Sequence, residues 1–584
     1  MINKLSFICI QIIVFLTPIA FYTKTKDNFL VKETIFSIFG LAVALLLILK
    51  ILLKKQRHSP LKNTWLGIPL ILYLTAIVIS SVNATHLQLV VEYLFCWIIL
   101  TAIYFTAITF SETESAQTLT VIFISTFIVA VYGILQYLNL DPVKWLSDFG
   151  GRPSSSFGNP NFFAGYLLLV FPLIFAKMIS TREATKHIFW MVFCFLTVFN
   201  IGVTKTRGAW FAFFIAIICL IDWQVIYMKK NYIITQGKWR MFRGTFWIFL
   251  LFSALFIISI DRFVTIKSFF KKENASVSER IFKWKTGWGM IKSHPFFGVG
   301  AGNLKVNFAN YQAKVKRTSQ LKSTSESNLH NEFLQRFAET GIFGIATFLV
   351  VFFSFFYFCA RLLYNKIETD KPEGNLVLGL FTGLFAVFVY GLTNFPFSII
   401  PVISTMFVLF GIAESYQRKK QISLPAPIRI NPIIFLVVLV GFCFIISQII
   451  LPRFVSDKYR LEGDIAVSEN DFQTAISKYE KAIKLDYYHS ERTAYDLGEA
   501  YRKLNQIDKA IDAYKISVAL RNYGEVYNNI GNCYYIKNDF DNALKNWKRT
   551  TEIGLPDDQT QQQIIKSIQI LENKRKLNKS TEYN

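Results

Sequence analysis

Charged residues are scarce in this chain, and its cysteines follow no pattern. Only 17% of the 584 residues are charged and 53% are hydrophobic, which excludes an ordinary soluble domain as the default interpretation. The seven cysteines have neither the spacing of a disulfide scaffold nor a metal-binding pattern, and most of them fall inside apolar runs. We therefore expect no disulfide framework and no metal site, so the chemistry must rest on other residue types.

Apolar runs long enough to cross a bilayer recur throughout the first 451 residues. We place thirteen spans, to within one, near residues 5–22, 35–53, 64–82, 88–108, 118–138, 162–181, 188–204, 209–228, 245–264, 341–362, 376–394, 397–414 and 432–451. The first run lacks a small-residue cleavage site, so we expect it to be retained rather than removed as a signal peptide. The expected fold is an all-α, polytopic membrane helix bundle.

The lysine and arginine residues of the short loops predict the orientation of the bundle. Nearly all basic short loops follow even-numbered spans, as at Lys54, Lys186 and Lys229, and such loops stay in the cytoplasm. The N-terminus is then inside, whereas the large loop 267–340 and everything after Leu451 are outside. The formal net charge of +24 is accordingly a signal of topology and of anionic lipid, and nucleic acid is not an expected partner.

After Arg453 the composition changes and a period near 34 residues appears. Small and aromatic residues recur in register: Gly463, Ala475, Tyr479 and Ala482, then Gly498, Ala510, Tyr514 and Ser517, then Gly531, Ala543, Trp547 and Thr550. This pattern resembles the tetratricopeptide repeat, which implies an α-solenoid of three helix pairs over residues 456–584, with 557–575 as a capping helix. Its usual role is to hold another protein; a purely structural cap is the alternative.

The outer loops carry the polar motifs of the membrane part. They read GGRPSSSFGNPNFFAGYL at 150–167, TKTRGAW at 204–210, SERIFKW at 278–284, HPFFGVGAGN at 294–303 and HNEFLQ at 330–335. Together, over about residues 120–415, they resemble the O-antigen ligase and polymerase superfamily of membrane glycosyltransferases. The resemblance implies a glycosyltransferase-C-like domain at 1–451. It also implies cofactor-free transfer of a glycan from undecaprenyl diphosphate to an acceptor, at the periplasmic side of the bacterial inner membrane.

Three arginines are the expected ligands of the diphosphate. Arginine binds phosphate oxygens in pairs and stays charged, so it suits a diphosphate leaving group at the membrane surface. Arg152, Arg207 and Arg280 each lie in an outer loop beside a span end, against the general trend for basic residues. A snorkelling or solvated side chain is the alternative for each of them.

No Asp-x-Asp pair of the kind that holds a divalent cation on a diphosphate occurs in the outer membrane loops. The one pair in an outer segment, Asp539 and Asp541, falls at a turn of the third repeat, where aspartate is ordinary N-cap chemistry. We therefore expect metal-independent, inverting transfer in which arginine takes the role of the metal.

Histidine has the pKa that suits a base for the acceptor hydroxyl. His330 precedes a helix-like apolar run that would dock against the bundle, and it is the expected base. His294 is the runner-up, because the following Pro295 biases it towards an extended, structural turn. The remaining candidates are Asn159, Asn161, Asn331 and Glu339. The last of these is expected either to orient an arginine or to be solvated at a helix end.

Three classes of function stay open at this point. The first is a ligase that joins a preassembled polysaccharide to lipid A–core or another cell-surface acceptor. The second is a polymerase or a protein O-glycosyltransferase with the same chemistry, and the third is a transporter or flippase. A transporter should show broken helices and polar residues at mid-membrane. The predicted spans are nearly free of charge, which favours an enzyme. Its expected partners are the lipid-linked glycan, a lipid or protein acceptor, a protein bound by the repeats, and membrane lipid.

Overall fold

The structure is a computed structural model that describes residues 2–53, 64–143, 145, 149–231, 275–312, 315, 328–366, 372–418, 440–555 and 558–581. All regular structure within these residues is helical. The span expected at 245–264 and the first part of the span expected at 432–451 lie outside them, as do many of the basic loop residues that predict the topology.

The membrane part consists of apolar helices joined by short connections. They are α1 Ile2–Ile19, α2 Leu30–Leu53, α3 Gly67–Ile79, α4 Leu87–Ala107, α5 Glu112–Tyr137, α6 Pro160–Ser180, α7 Ala184–Val203, α8 Arg207–Asn231, α11 Glu332–Lys366, α12 Pro372–Tyr390 and α13 Ile400–Arg418. Among the described residues nine helices are long and apolar enough to cross a membrane, and three shorter apolar helices accompany them. The all-α membrane bundle is therefore confirmed, whereas the count of thirteen spans is not.

The predicted outer loops lie on one face of the bundle. The Ser156 hydroxyl of the α5–α6 loop donates to Pro18 O at the end of α1 (2.5 Å). Asn303, at the start of α10 Leu304–Gln312, accepts from His86 N in the α3–α4 connection (2.8 Å). These contacts join loops that follow odd-numbered helices, as the charge pattern predicts. The helix α9 Ala275–Ser293 and α10 belong to the large loop on this face.

Helix α11 begins earlier than the sequence predicts and contains a kink. Asn331 caps it by accepting from Leu334 N (3.0 Å), so the helix starts nine positions before the expected span at 341–362. Gly341 has φ 67° and ψ −168°, a conformation reserved almost entirely for glycine. A Cβ there would lie 2.1 Å from Phe296 O. The kink therefore depends on the close approach of the His-Pro-Phe-Phe-Gly segment.

The C-terminal part is a stack of helix pairs. The pairs are α14 Leu451–Ser468 with α15 Phe472–Leu485, α16 Glu491–Lys503 with α17 Ile507–Leu520, and α18 Gly524–Ile536 with α19 Phe540–Ile553, followed by α20 Asp558–Thr581. A Cβ on Gly463, Gly498 or Gly531 would meet the aromatic ring of the same repeat at about 2.4–2.5 Å. Glycine is therefore required at all three positions to admit the aromatic side chain of its helix pair.

The repeats dock on the same face as the outer loops. A continuous helix, Val440–Ser468, carries the chain from the membrane part into the first repeat. Four ion pairs then join the two parts: Lys26–Asp464 (2.6 Å), Glu33–Arg453 (3.2 Å), Glu92–His489 (3.0 Å) and Lys305–Glu491 (3.5 Å). The repeat stack is thus seated on the α1–α2 connection, on α2 and α4, and on α10 of the large loop that also carries Arg280 and His330.

Candidate functional site

Arg152 is held rigidly between two loops. Its Nε donates to Thr204 O (2.7 Å), and its Nη2 donates to Asn161 Oδ1 and Thr206 Oγ1 (3.2 Å each). These partners are all uncharged, so the hydrogen bonds orient the guanidinium without neutralising it. Burial is the largest influence on the pKa of Arg152 and lowers it, and the Arg207 cation lowers it further. The group remains a cation, because an arginine is not deprotonated under these conditions.

Arg207 and Arg280 lie close to the same point. Arg207 is the first residue of α8, and Gly208 after it lets the backbone approach α12, since a Cβ there would meet Thr393 Oγ1 at 2.2 Å. Arg280 projects from the first half of α9 and interacts electrostatically with Tyr390 and Arg207. Burial, the largest influence, lowers the pKa of Arg280. Three cations from three elements thus surround the end of α12, which is the environment of an anion site.

Tyr390, the last residue of α12, lies near two of these arginines. It interacts electrostatically with both Arg152 and Arg280. Its hydroxyl donates to Asn161 O (3.0 Å) and accepts from Asn394 Nδ2 (2.8 Å). The hydroxyl therefore ties the first turn of α6 to the connection after α12. We call the group of Arg152, Arg207, Arg280 and Tyr390 the arginine cluster.

His330 lies beside the arginine cluster. Leu329 packs on α9, where Trp284 Nε1 donates to its carbonyl (3.0 Å), and Asn331 caps α11, so the histidine is fixed on both sides. Its backbone has φ 51°, and its ring packs edge-on to Phe395 with centroids 5.2 Å apart. A left-handed conformation at a residue other than glycine is uncommon, and such residues concentrate at functional sites.

The imidazole of His330 is suited to accept a proton. Burial is the main cause that lowers the pKa of His330, to about 4, and the cations of Lys283 and Arg280 add to the decrease. The ring is therefore neutral at pH 7. Its Nδ1 is buried and has no hydrogen-bond partner among the described residues. A neutral ring with an unused nitrogen beside a cation cluster fits a general base that acts on a substrate hydroxyl.

The asparagine candidates have positioning contacts. Asn159 caps α6 by accepting from Asn161 N (2.9 Å), and Asn161 Oδ1 accepts from Arg152 and from the Thr206 hydroxyl. Asn331 caps α11. The sequence Gly-Asn-Pro-Asn therefore orients Arg152, and the His-Asn pair orients the helix that follows His330.

The structure separates His294 from the other candidates. His294 follows the C-terminal end of α9, whereas Arg280 lies near its N-terminal end, about 20 Å away along the helix axis. The segment that His294 opens binds the kink of α11 instead: Ile342 N donates to Pro295 O (2.9 Å) and Val299 N donates to Ala338 O (2.9 Å). Its place in the fold is structural.

Glu339 takes part in a buried charge cluster that was not predicted. Arg336 pairs with Glu332 and with Glu339 (3.5 Å), and its Nη2 donates to Ser398 Oγ (3.0 Å). Glu339 thus contacts an arginine, but not one of the three predicted ones. The described helices extend beyond the spans predicted at 35–53 and 341–362, and the added turns carry buried charges, namely these three residues and Lys32 of α2. They lie in the first turns of α2 and α11, not at mid-helix.

Sequence reasoning missed Lys283 and Tyr390. Lys283 is 2% exposed and pairs with Glu279 (2.7 Å), and its positive charge lowers the pKa of His330. It belongs to the motif Ser-Glu-Arg-Ile-Phe-Lys-Trp at 278–284. Tyr390 ends an apolar helix, where an aromatic is ordinary at a membrane interface. The sequence feature that could have indicated Tyr390 is the run Tyr-Gly-Leu-Thr-Asn-Phe-Pro at 390–396, which begins with this residue and contains polar side chains after an apolar helix.

The fold and the site together define a polytopic membrane protein with a helical repeat domain. Residues 191–349 match the family model described as O-antigen ligase, and residues 460–525 and 495–550 match that of the tetratricopeptide repeat. The chain thus carries an O-antigen ligase domain followed by tetratricopeptide repeats, which supports ligase- or polymerase-like glycosyl transfer and suggests protein interaction. The search of curated proteins gave no match.

The segment matched by the O-antigen ligase model is shorter than the range of about 120–415 over which the sequence motifs resemble this family. It includes Arg207, Arg280 and His330 but ends before Tyr390 and begins after Arg152. The assignment of these last two residues to the site therefore rests on their contacts with the matched segment.

Proposed function

We propose that this chain is an O-antigen ligase-like glycosyltransferase. It transfers a glycan from an undecaprenyl-diphosphate carrier to a hydroxyl of a cell-surface acceptor, such as lipid A–core. The observation that carries this proposal is the convergence of Arg152, Arg207 and Arg280 beside the buried, neutral His330. A cation cluster next to a base is what the departure of a diphosphate and the entry of a hydroxyl require.

The reaction is a single displacement at the anomeric carbon. The acceptor oxygen forms a bond to this carbon while the bond to the diphosphate oxygen breaks, and the electron pair leaves with undecaprenyl diphosphate. The proton of the acceptor hydroxyl goes to His330. Inversion of the anomeric configuration follows, because one displacement occurs at one face of the sugar.

The arginines bind the leaving group in place of a metal ion. Arg152 is already oriented by three hydrogen bonds to neutral oxygens, so little reorganisation is needed when the phosphates bind. The bound diphosphate also raises the pKa of His330, because its negative charge offsets the cations of Arg280 and Lys283. Donor binding therefore makes the base stronger at the moment when it is needed.

The cluster, His330 and the repeats lie on the periplasmic side of the inner membrane in this proposal. The basic short loops on the other side support that orientation. The donor then enters the site laterally from the membrane.

Deletion of the gene tests the proposal and distinguishes a ligase from a polymerase and from a protein glycosyltransferase, which use the same chemistry. A ligase deletion leaves complete, lipid-linked polymer and an unmodified acceptor, whereas loss of a polymerase gives single repeat units and loss of a protein glycosyltransferase gives an unglycosylated protein. Normal glycoconjugates in the deletion strain, with no accumulated lipid-linked glycan, would contradict every transferase assignment.

A further inference from the structure

A cavity separate from the arginine cluster lies between the membrane part and the first repeat. Its volume is 690 Å³, within the usual range for ligand pockets. The membrane helices α2, α4 and α11 form one side, and the start of α10 closes another. The segment Lys484–His489, which joins α15 to α16 in the repeats, forms another wall together with Gln448, Ile450 and Arg453, and the start of α13 contributes Ile400 and Ile403. The cavity therefore exists only because the repeats are docked.

The cavity adjoins the site of His330. Gln335 of α11 lines it and accepts a hydrogen bond from Leu329 N (3.3 Å), the residue before the histidine. On the other side, Phe397 lines it two positions after Phe395, which packs on the His330 ring. Only the first turn of α11 and its cap Asn331 thus separate this part of the cavity wall from the candidate base.

Its charges balance, unlike those of the arginine cluster. Four basic and four acidic side chains line the cavity, together with His489. Three of the four cations have acidic partners: Arg336 pairs with Glu339 (3.5 Å), Arg453 with Glu33 (3.2 Å) and Lys305 with Glu491 (3.5 Å). A second diphosphate would find no excess of positive charge here. A dense set of hydrogen-bonding groups without net charge suits an uncharged ligand with many hydroxyls.

Two tyrosines at the rim add flat apolar surface. Tyr487 and Tyr488 are 43% and 42% exposed, and their rings are nearly perpendicular with centroids 5.5 Å apart. Tyrosine supplies contact area at a low cost in conformational entropy and keeps a polar tip for hydrogen bonding. Aromatic faces combined with paired polar groups are the chemistry that recognises a sugar ring.

We propose that this cavity binds a neutral sugar of the acceptor glycan, so that the first repeat takes part in acceptor recognition. The inference rests on the proposed function. It assigns to the repeat domain a contact with the substrate in addition to any protein partner. The acceptor then reaches His330 along α11, while the donor diphosphate occupies the arginine cluster on the other side of the histidine.

Steady-state transfer by the purified full-length protein tests this inference. The donor is the lipid-linked glycan extracted from the deletion strain, and the acceptor is the unmodified envelope glycolipid of the same strain. Tyr487→Ala should raise the KM for the acceptor about tenfold, the effect of losing roughly 1.4 kcal/mol of contact. The KM for the donor, and hydrolysis of the donor without acceptor, should not change. Tyr487→Phe keeps the ring and should retain most of the affinity.

Tyr535→Ala is the matched control, since Tyr535 is an exposed tyrosine of the third repeat outside the cavity. It should leave the KM for the acceptor as it is in the wild type. An unchanged acceptor KM in Tyr487→Ala, or a rise in the donor KM instead, overturns the inference and leaves the transferase intact. Absence of transfer by the wild type overturns the proposed function itself.

Discussion

At the scale of single residues, the proposed function depends on three arginine side chains that lie near one another and keep their positive charge. Arg152 is oriented by neutral oxygens, Arg152 and Arg280 share Tyr390 as a neighbour, and Arg207 lies near both of these arginines. Like charges in such proximity repel each other, and a bound diphosphate relieves the repulsion. The geometry of each guanidinium should therefore matter as much as its charge.

Arg207→Lys should impair transfer almost as strongly as Arg207→Ala, by about 10²-fold. Lysine keeps the charge but lacks the planar fork that binds two phosphate oxygens. The measurement is the rate of transfer with saturating acceptor, made with and without EDTA. Wild-type activity of Arg207→Lys would show that the positive charge alone suffices. A strict need for a divalent ion would contradict the role of the arginines in place of a metal ion.

Lys283→Met should move the acid limb of the pH–rate profile to higher pH. The Lys283 cation lowers the pKa of His330, so its removal raises that pKa, and protonation then inactivates the base at a higher pH. The profile of kcat/KM for the acceptor reports the change. Lys292→Met, at the exposed end of the same helix, is the control and should leave the limb in place. A shift to lower pH would exclude His330 as the titrating group.

At the scale of elements, the kink of α11 is the device that positions His330. The helix starts directly after the histidine and is interrupted at Gly341, where the segment 294–300 is bonded to it. The segment 294–300 and the turn at Gly341 are distant in the sequence but form one structural unit. Their function is to fix the entry of α11 and the residue that precedes it.

Gly341→Ala should lower both thermal stability and transfer. A Cβ on residue 341 would lie 2.1 Å from Phe296 O, so there is no space for it. The backbone φ of 67° also costs about 1–3 kcal/mol for residues other than glycine. Gly374→Ala, in α12, is the control, because a Cβ there meets nothing within 4 Å. Thermal unfolding of both variants in detergent measures the difference. Equal midpoints would mean that the kink is not strained.

The sequence allowed the helices and the repeats to be predicted, because these depend on periodicity, whereas the role of the three arginines stays a prediction that rests on residue type and loop position. The helix-like run after His330 was recognised, but its continuity with the span expected at 341–362 was not, since Glu332, Arg336 and Glu339 look like solvated residues until their pairing in the interior is known. Tyr390 was missed because its role depends on three loops that meet only in the folded chain. The cavity at Lys484–His489 depends on docking, which no local pattern encodes.

At the scale of the whole molecule, the account requires the repeats and the large loop to lie on the outer side. Alkaline phosphatase fused after Lys272 or Asp457 should be active, and a fusion after Lys230 should be inactive. The ion pairs between repeats and outer loops require the two to share a side in any case. Inactive phosphatase at both outer positions would place the whole site in the cytoplasm and exclude the proposed acceptor.

Transfer by the reconstituted protein with His330→Ala tests the central claim most directly. Loss of a general base typically costs about 10²–10⁴-fold in rate, while binding of the donor to the arginine cluster should remain. The wild type and His294→Ala, whose histidine lies at the far end of α9, are assayed beside it in nanodiscs with the extracted donor and acceptor. We predict that His330→Ala binds the donor but does not transfer the glycan and that His294→Ala transfers it. Normal transfer by His330→Ala, with an inactive but folded His294→Ala, would contradict the account.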